Sequence, residues 1–336
     1  MIINHKNGNI ALMLALFLPV FIGFVGLTVD LGILYTAKFQ LQNAADSAAL
    51  AGTSELAIDS NGDNIAEANY DGARNTAINL TESNEMLNHK LLWSGNDLFE
   101  AGKWDNQIED FSSVGYTSDP NGLDGSSVFL TRPIKTFFIK LFGIHEVQIN
   151  AKSISFVGCA GNGTRADLPI AINKAKLTTP FELIVFNSEN EENGQYTSFD
   201  IWPCNTSTII PFIYGAAHGG IDPPPMDLGA DIYLSMNNGV VATLFDDFQI
   251  RYDMEKDING EYPVRLPVVE WTQPQNRGKL VGFVYFIITD VKGPGGKKTE
   301  SKHFVGYMSN GLMLADGASG GECYGVRASQ AMLVKK

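Results

Sequence analysis

Charge is scarce in this sequence, cysteine and histidine scarcer still, and each shortage removes a class of function. Only 18% of the 336 residues are charged, against about 25% in ordinary soluble domains. The 24 lysines and arginines are outnumbered by 37 aspartates and glutamates, giving a net charge of -13. Such a chain repels phosphate backbones and has few cations with which to release their counterions, so no nucleic-acid partner is expected. The three cysteines, Cys159, Cys204 and Cys323, are too few and too far apart for a zinc ribbon or a CxxC redox pair. In an oxidising compartment one pair could bridge, and all three pairings stay open. The five histidines stand singly, and His145-Glu146 lacks the second histidine of a zinc protease. No metal and no cofactor is expected.

The sharpest absence is local. No charged residue stands between Lys6 and Asp30, and 23 helical residues rise roughly 34 Å, enough to cross a hydrocarbon layer of about 30 Å. A cleaved signal peptide would have a shorter apolar region ending in a small-x-small site, whereas Phe24-Val25-Gly26-Leu27 runs straight on to Asp30. An uncleaved span is therefore expected, containing Ile10, Ala11, Ala15, Pro19, Gly23 and Gly26 and ended by Asp30. Ala11, Ala15, Pro19 and Gly23 recur every four residues and form a small-residue stripe that another helix could approach. Lys6 and the terminal amine place the N-terminus in the cytoplasm by the positive-inside rule.

The helical spacing continues through Leu31, Leu34, Lys38, Leu41, Ala45, Ala48 and Gly52, predicting one rod to about Gly52. Its last turns, with Leu41, Gln42, Ala44, Ala45, Asp46, Ala48, Ala49 and Gly52, are rich in alanine. They suit close packing on a partner or on the chain's own domain.

At these residues a resemblance becomes specific. Gly8-Asn9-Ile10-Ala11, Leu18-Pro19, Gly23, Gly26-Leu27, Val29-Asp30, Gly32 and the block Leu41–Gly52 resemble the N-terminal region of TadG-like proteins of the tight-adherence (Flp) pilus system. A looser similarity follows in Gly102-Lys103-Trp104-Asp105, Arg132-Pro133, Phe137-Phe138, Phe142-Gly143-Ile144 and Val147–Val157. The resemblance implies an inner-membrane-anchored envelope component of pilus assembly with no assigned catalytic residues. Its partners would be inner-membrane lipid, other pilus-assembly proteins and, in one arrangement, further copies of itself. The family's arginine run before Gly-Asn is reduced here to His5-Lys6. Met13 stands where prepilin-type cleavage after Gly8 wants a glutamate, so an uncleaved anchor is expected before a processed, filament-packed pilin-like subunit.

Beyond the rod a helix is expected over Asn64–Leu80, packed beside it, with Ile65, Ala68, Ala73, Ala77 and Leu80 on its apolar face. From Leu91 onward short apolar runs bounded by turn residues read as strands: Leu91–Trp93, Val128–Thr131, Val147–Val157, Phe181–Phe186, Ile209–Tyr214, Ile232–Leu234, Val264–Glu270, Leu280–Val291 and His303–Met308. The last two form a hairpin across Gly293-Pro294-Gly295-Gly296. The fold class expected is α+β, a long membrane helix followed by a β-rich extracytoplasmic region. Its divisions are residues 1–52, 53–158 and 159–336, the last boundary near Cys159–Gly163.

Gly317-Ala318-Ser319-Gly320-Gly321 fits the serine-hydrolase G-x-S-x-G pattern, with His218-Gly219-Gly220 resembling an oxyanion loop. In an α/β-hydrolase the acid and the histidine follow the nucleophile, yet no histidine follows Ser319. The segment reads as a loop, and the chain as a non-enzyme. Asp124-Gly-Ser-Ser127 lacks the second serine of a metal-dependent adhesion loop, since Val128 takes that place. The acidic turns at Asp59–Asp63 and Asp253–Glu261 lack a full calcium-loop pattern and read as polar turns. Trp104, Trp202 and Trp271 are expected in the core.

Overall fold

The computed structural model describes residues 7–105, 107–187, 193–228, 233–237, 244–272, 277–293 and 302–334, with side chains in the first helix from residue 13 onward. A single helix, α1, runs over Asn7–Ser54 for 48 residues with Pro19 inside it, a rod of about 72 Å. Its two halves have opposite surroundings. Met13, Leu14, Leu16, Phe17, Phe21, Phe24 and Val25 are all exposed, whereas Ala37, Leu41, Ala44, Ala45, Ala48 and Ala49 are wholly buried. The stretch beginning at Met13 is long and apolar enough to cross a membrane.

The buried half of α1 is clasped by the first folded unit. Helix α2 (Tyr70–Glu82) lies against it. Beneath both is an antiparallel sheet built from β1 (Leu98–Asp105), β2 (Asp110–Ser113), β3 (Gly125–Lys135) and β4 (Glu146–Phe156). Val128, Leu130, Ile134, Ile149 and Ala151 of the sheet and Ala73 and Ala77 of α2 meet the alanines of α1 in one core. Alanine serves here because its small side chain lets helix and sheet backbones approach closely. At Gly52 an added Cβ would come within 2.7 Å of the Phe99 ring. α2 starts at Tyr70, six residues later than expected from Asn64, because Asn69 caps it with its side-chain oxygen on the Gly72 N–H.

The second unit is built on β5 (Ile170–Asn173), β6 (Leu183–Asn187), β7 (Gly194–Thr197), β8 (Tyr233–Asn237), β9 (Tyr262–Thr272), β10 (Arg277–Lys292) and β11 (His303–Met308). Hydrogen bonding follows the order β6-β11-β10-β8-β7-β5-β9, and β9 also pairs with β10, so β10, β8, β7, β5 and β9 close into a ring. Alternate residues of β10 serve different cores. Val284, Phe286 and Ile288 meet helices α3 (Thr206–Tyr214) and α4 (Leu244–Glu255), while Phe283, Tyr285 and Ile287 face Met313, Ala315 and Val326.

Three short strands follow: β12 (Met313–Ala315), β13 (Glu322–Tyr324) and β14 (Val326–Ala328). A last strand, β15 (Met332–Leu333), returns to the first unit and pairs with the free edge of β4.

The α+β architecture matches expectation, as does the antiparallel pairing of β10 with β11; the expected turn at Pro294–Gly296 lies outside the described residues, as does Ile232. Three expectations fail. Ile209–Tyr214 is the helix α3, not a strand, because Asn205 and Thr208 form a capping box that commits the segment at its start. Leu91–Trp93 is not a strand: the Leu92 carbonyl is instead taken by Arg132. Trp202 is exposed, whereas Trp104 is buried and stacks on Phe156 at 5.9 Å.

Candidate functional site

The region that sets this chain apart is the junction where α1 passes from its exposed half to its clasped half. Asp30 stands there. The sequence reads it as the end of the apolar span, and in the fold its side chain is also buried within a helix that continues, as expected, towards Gly52. Its Oδ1 accepts the Phe137 N–H at 2.8 Å, and its Oδ2 accepts those of Phe138 and Ile139 at 2.8 and 2.6 Å. These N–H groups open the short 3-10 turn Ile139–Phe142 in the loop between β3 and β4. A carboxylate that would be costly beside apolar surroundings is thus fully engaged, and a loop more than 100 residues away is pinned to the rod.

The same contact explains Gly26, one turn earlier. A Cβ there would fall 2.5 Å from the Phe138 ring, so glycine lets the loop press directly on the helix. The loop is closed at its base by the Thr136 N–H donating to the His145 carbonyl at 3.0 Å, and it turns back at Gly143, whose φ of 88° suits glycine. Replacing Asp30 with alanine should leave the three N–H groups without acceptors and weaken the docking of the loop by about 1–3 kcal/mol. Hydrogen exchange should show faster exchange at Phe137, Phe138 and Ile139, with α2 and the second unit unaffected.

Other residues of the apolar half lie where a partner or lipid could reach them. Ala15 and Pro19 are exposed and Gly23 is half-buried with open space beside it. Ile10 and Ala11 lie within α1, and their side chains are outside the described residues. Of the small-residue stripe, the described members Ala15, Pro19 and Gly23 are thus left open to a partner or lipid.

The alanine-rich block is consumed by the chain's own fold. Leu41, Ala44, Ala45, Ala48, Ala49 and Gly52 face the sheet and α2. Gln42 reaches the Asp46 carboxylate at 2.8 Å and the Lys152 carbonyl at 2.9 Å, while Lys38 donates to the Asn150 carbonyl. The end of the rod is fastened by buried hydroxyls. Ser126 and Ser155 both donate to the Ala49 carbonyl, at 3.1 and 2.7 Å, and Thr53 bonds to both serines. Ser126 and Ser127, which suggested an adhesion loop, are thereby buried within β3.

Two further fastenings were invisible in the sequence. Arg132 donates to the Asp97 Oδ1 at 2.6 Å, and the carboxylate also accepts the N–H groups of Ser94 and Thr131. Burial pushes the Asp97 carboxyl up, but the Arg132 hydrogen bond and the two N–H groups outweigh it and hold it below the ordinary carboxylate value. Cys159 and Cys323 form a disulfide, leaving Cys204 as a buried thiol that burial pushes up in pKa.

The expected loop character of Gly317–Gly321 is matched, with Ser319 accepting the Gly158 N–H at 2.9 Å. A cleft of about 560 Å³ is lined by Ser319, Asp124, Arg327 and Trp104, and no histidine lines it. The turn carboxylates of Asp59 and Asp257 are taken up by N–H groups of their own turns. Among the described residues no group of three or more His, Cys, Asp or Glu side chains is placed to hold a metal ion.

No curated protein and no solved structure matches the chain. Residues 8–58 match the protein-family model Tad, described as Putative Flp pilus-assembly TadE/G-like. That match begins at the apolar half of α1, includes Gly26 and Asp30, and ends just past the clasped alanine block. Over this region the chain is similar to the TadE/G-like proteins of Flp pilus assembly.

Proposed function

We propose that the chain is a single-pass, membrane-anchored structural component of Flp pilus assembly, with its N-terminus in the cytoplasm and its folded units in the periplasm. The observation that carries this reading is the division of α1. The same helix exposes nearly every apolar side chain from Met13 to Val29 and buries Ala37 to Ala49 in its own domain. Exposed apolar surface on that scale is unfavourable in water and satisfied in lipid. A rigid continuation of the span into the core of a folded unit fixes that unit at a set height above the bilayer. The Cys159–Cys323 bridge is consistent with an oxidising compartment.

The role is one of positioning, through sheet and helix surfaces, without bond chemistry. Ser319 spends its oxygen on the Gly158 N–H, which supports a structural part for the G-x-S-x-G loop.

Fractionation with protease protection tests the reading. Full-length protein should stay in the membrane pellet after alkaline extraction. Protease added outside spheroplasts should digest the folded units and spare an N-terminal fragment. A freely soluble cytosolic product would overturn the proposal. Loss of residues 1–8 in the intact mass of the mature protein would instead favour a processed subunit packed into a filament.

A further inference from the structure

The β3–β4 loop carries apolar side chains that nothing in the fold covers. Phe137, Leu141, Phe142 and Ile144 are 66%, 79%, 77% and 48% exposed, although this is a tight turn where polar residues are the ordinary choice. Elsewhere in the first unit the same kinds of residue mostly fill the core, with Leu92, Leu98 and Ile108 exposed singly. The loop is also held rigidly by the Asp30 carboxylate and by the Phe138 contact with Gly26, so this exposure is built into the fold.

Its position indicates the occupant. Gly26 lies four residues before Asp30 inside the uncharged stretch, which is about 6 Å along the helix axis. Phe138 reaches that level, beside the exposed Val25 and Phe24 of the same helix. Whatever surrounds Phe24 and Val25 therefore reaches the Phe138 side of the loop as well. Lys140 is exposed with its Nζ 5.4 Å from the Phe137 ring centre, a cation on a flexible stem that is long enough to reach headgroups from an apolar layer. Lys135 is likewise exposed at the base of the loop.

We propose that residues 137–144 form a second, monotopic membrane contact, dipping into the leaflet on the domain side of the span, with lipid acyl chains as the occupant. Insertion of about 6 Å falls within the 5–10 Å depth typical of interfacial segments. Two contacts on one rigid unit fix its tilt and its rotation about the helix axis, which a single helix leaves free. The proposal rests on the membrane reading of α1, and the two are separable by experiment.

The test uses the full chain reconstituted in nanodiscs, with an environment-sensitive fluorophore attached at one introduced cysteine. Three variants are compared: Leu141→Cys in the loop, Phe21→Cys in the span and Ile258→Cys, a fully exposed position in the second unit. Lipids brominated on their acyl chains should quench the probes at 141 and 21 by at least two-fold and leave the probe at 258 unchanged. Quenching at 21 without quenching at 141 overturns the loop proposal and leaves the span intact. Absence of quenching at 21 overturns the membrane reading itself, and the loop proposal with it. Shielding of the probe at 141 from aqueous iodide without bromolipid quenching identifies protein as the cover and likewise overturns it.

Discussion

Serine at both Cys159 and Cys323 is expected to lower the stability of the second unit by about 2–5 kcal/mol. The bridge spans 164 residues, and the residues it joins lie far apart in chain order but adjacent in the fold. In the chain-entropy model a loop of that size constrains the unfolded ensemble by about 5 kcal/mol, an upper figure that native-state effects reduce. The bond ties the crossover at Gly158–Gly163 to the segment holding β13, where the N–H groups of Gly320 and Gly321 already donate to the Cys159 carbonyl. Denaturant titration of the full chain in detergent should show a lower midpoint for the double variant. Reductant should lower the parent to the same value and leave the variant unmoved. Equal midpoints with and without reductant for the parent would show that the bridge contributes nothing. Cys204→Ser should leave the reductant response intact, because the buried Cys204 thiol is outside the bridge.

Asp97→Ala is expected to cost about 3–5 kcal/mol, since removing one partner of a buried ion pair leaves the other charge uncompensated. The Asp97 side chain is fully buried and Arg132 nearly so. Arg132 is held further by the carbonyls of Thr131 and Leu92, so losing Asp97 frees the turn that connects α2 to β1 as well. The double variant Asp97→Leu with Arg132→Met should cost much less than the sum of the single losses. Additive effects would show that the pair acts as two independent residues. The pH dependence has a defined sign. Because the folded-state pKa of Asp97 lies below its unfolded value of about 3.9, its contribution is present above pH 4 and fades as the pH falls through the lowered value. The Asp97→Asn variant should lose that acid-range dependence.

The rod was legible from the sequence because both signals for it are local. Charge is absent up to Asp30, and a three- and four-residue spacing continues to Gly52, close to the observed end at Ser54. The alanine block was recognisable as a packing surface, but not which surface it meets, since that depends on β3 and β4 arriving from some 80 to 110 residues later. The second role of Asp30 is illegible for the same reason: its partners are backbone N–H groups of a distant loop, which leave no mark in the sequence around residue 30. α3 reads locally as a strand because Ile209, Ile210 and Phe212 favour strands, although Asn205 and Thr208 carry the capping signal. Helix α4 was overlooked although Leu244, Phe245, Phe248 and Tyr252 recur at helical spacing. The cysteine pairing could come only from the fold.

The strand Met332–Leu333 seals the edge of Glu146–Phe156 with residues that come after the whole of the second unit in chain order. Without it the first unit would carry an open row of backbone donors and acceptors along that edge. The covering strand thus couples the completeness of the first unit to the fold of the second, and an edge left uncovered would be a seam open to a foreign strand.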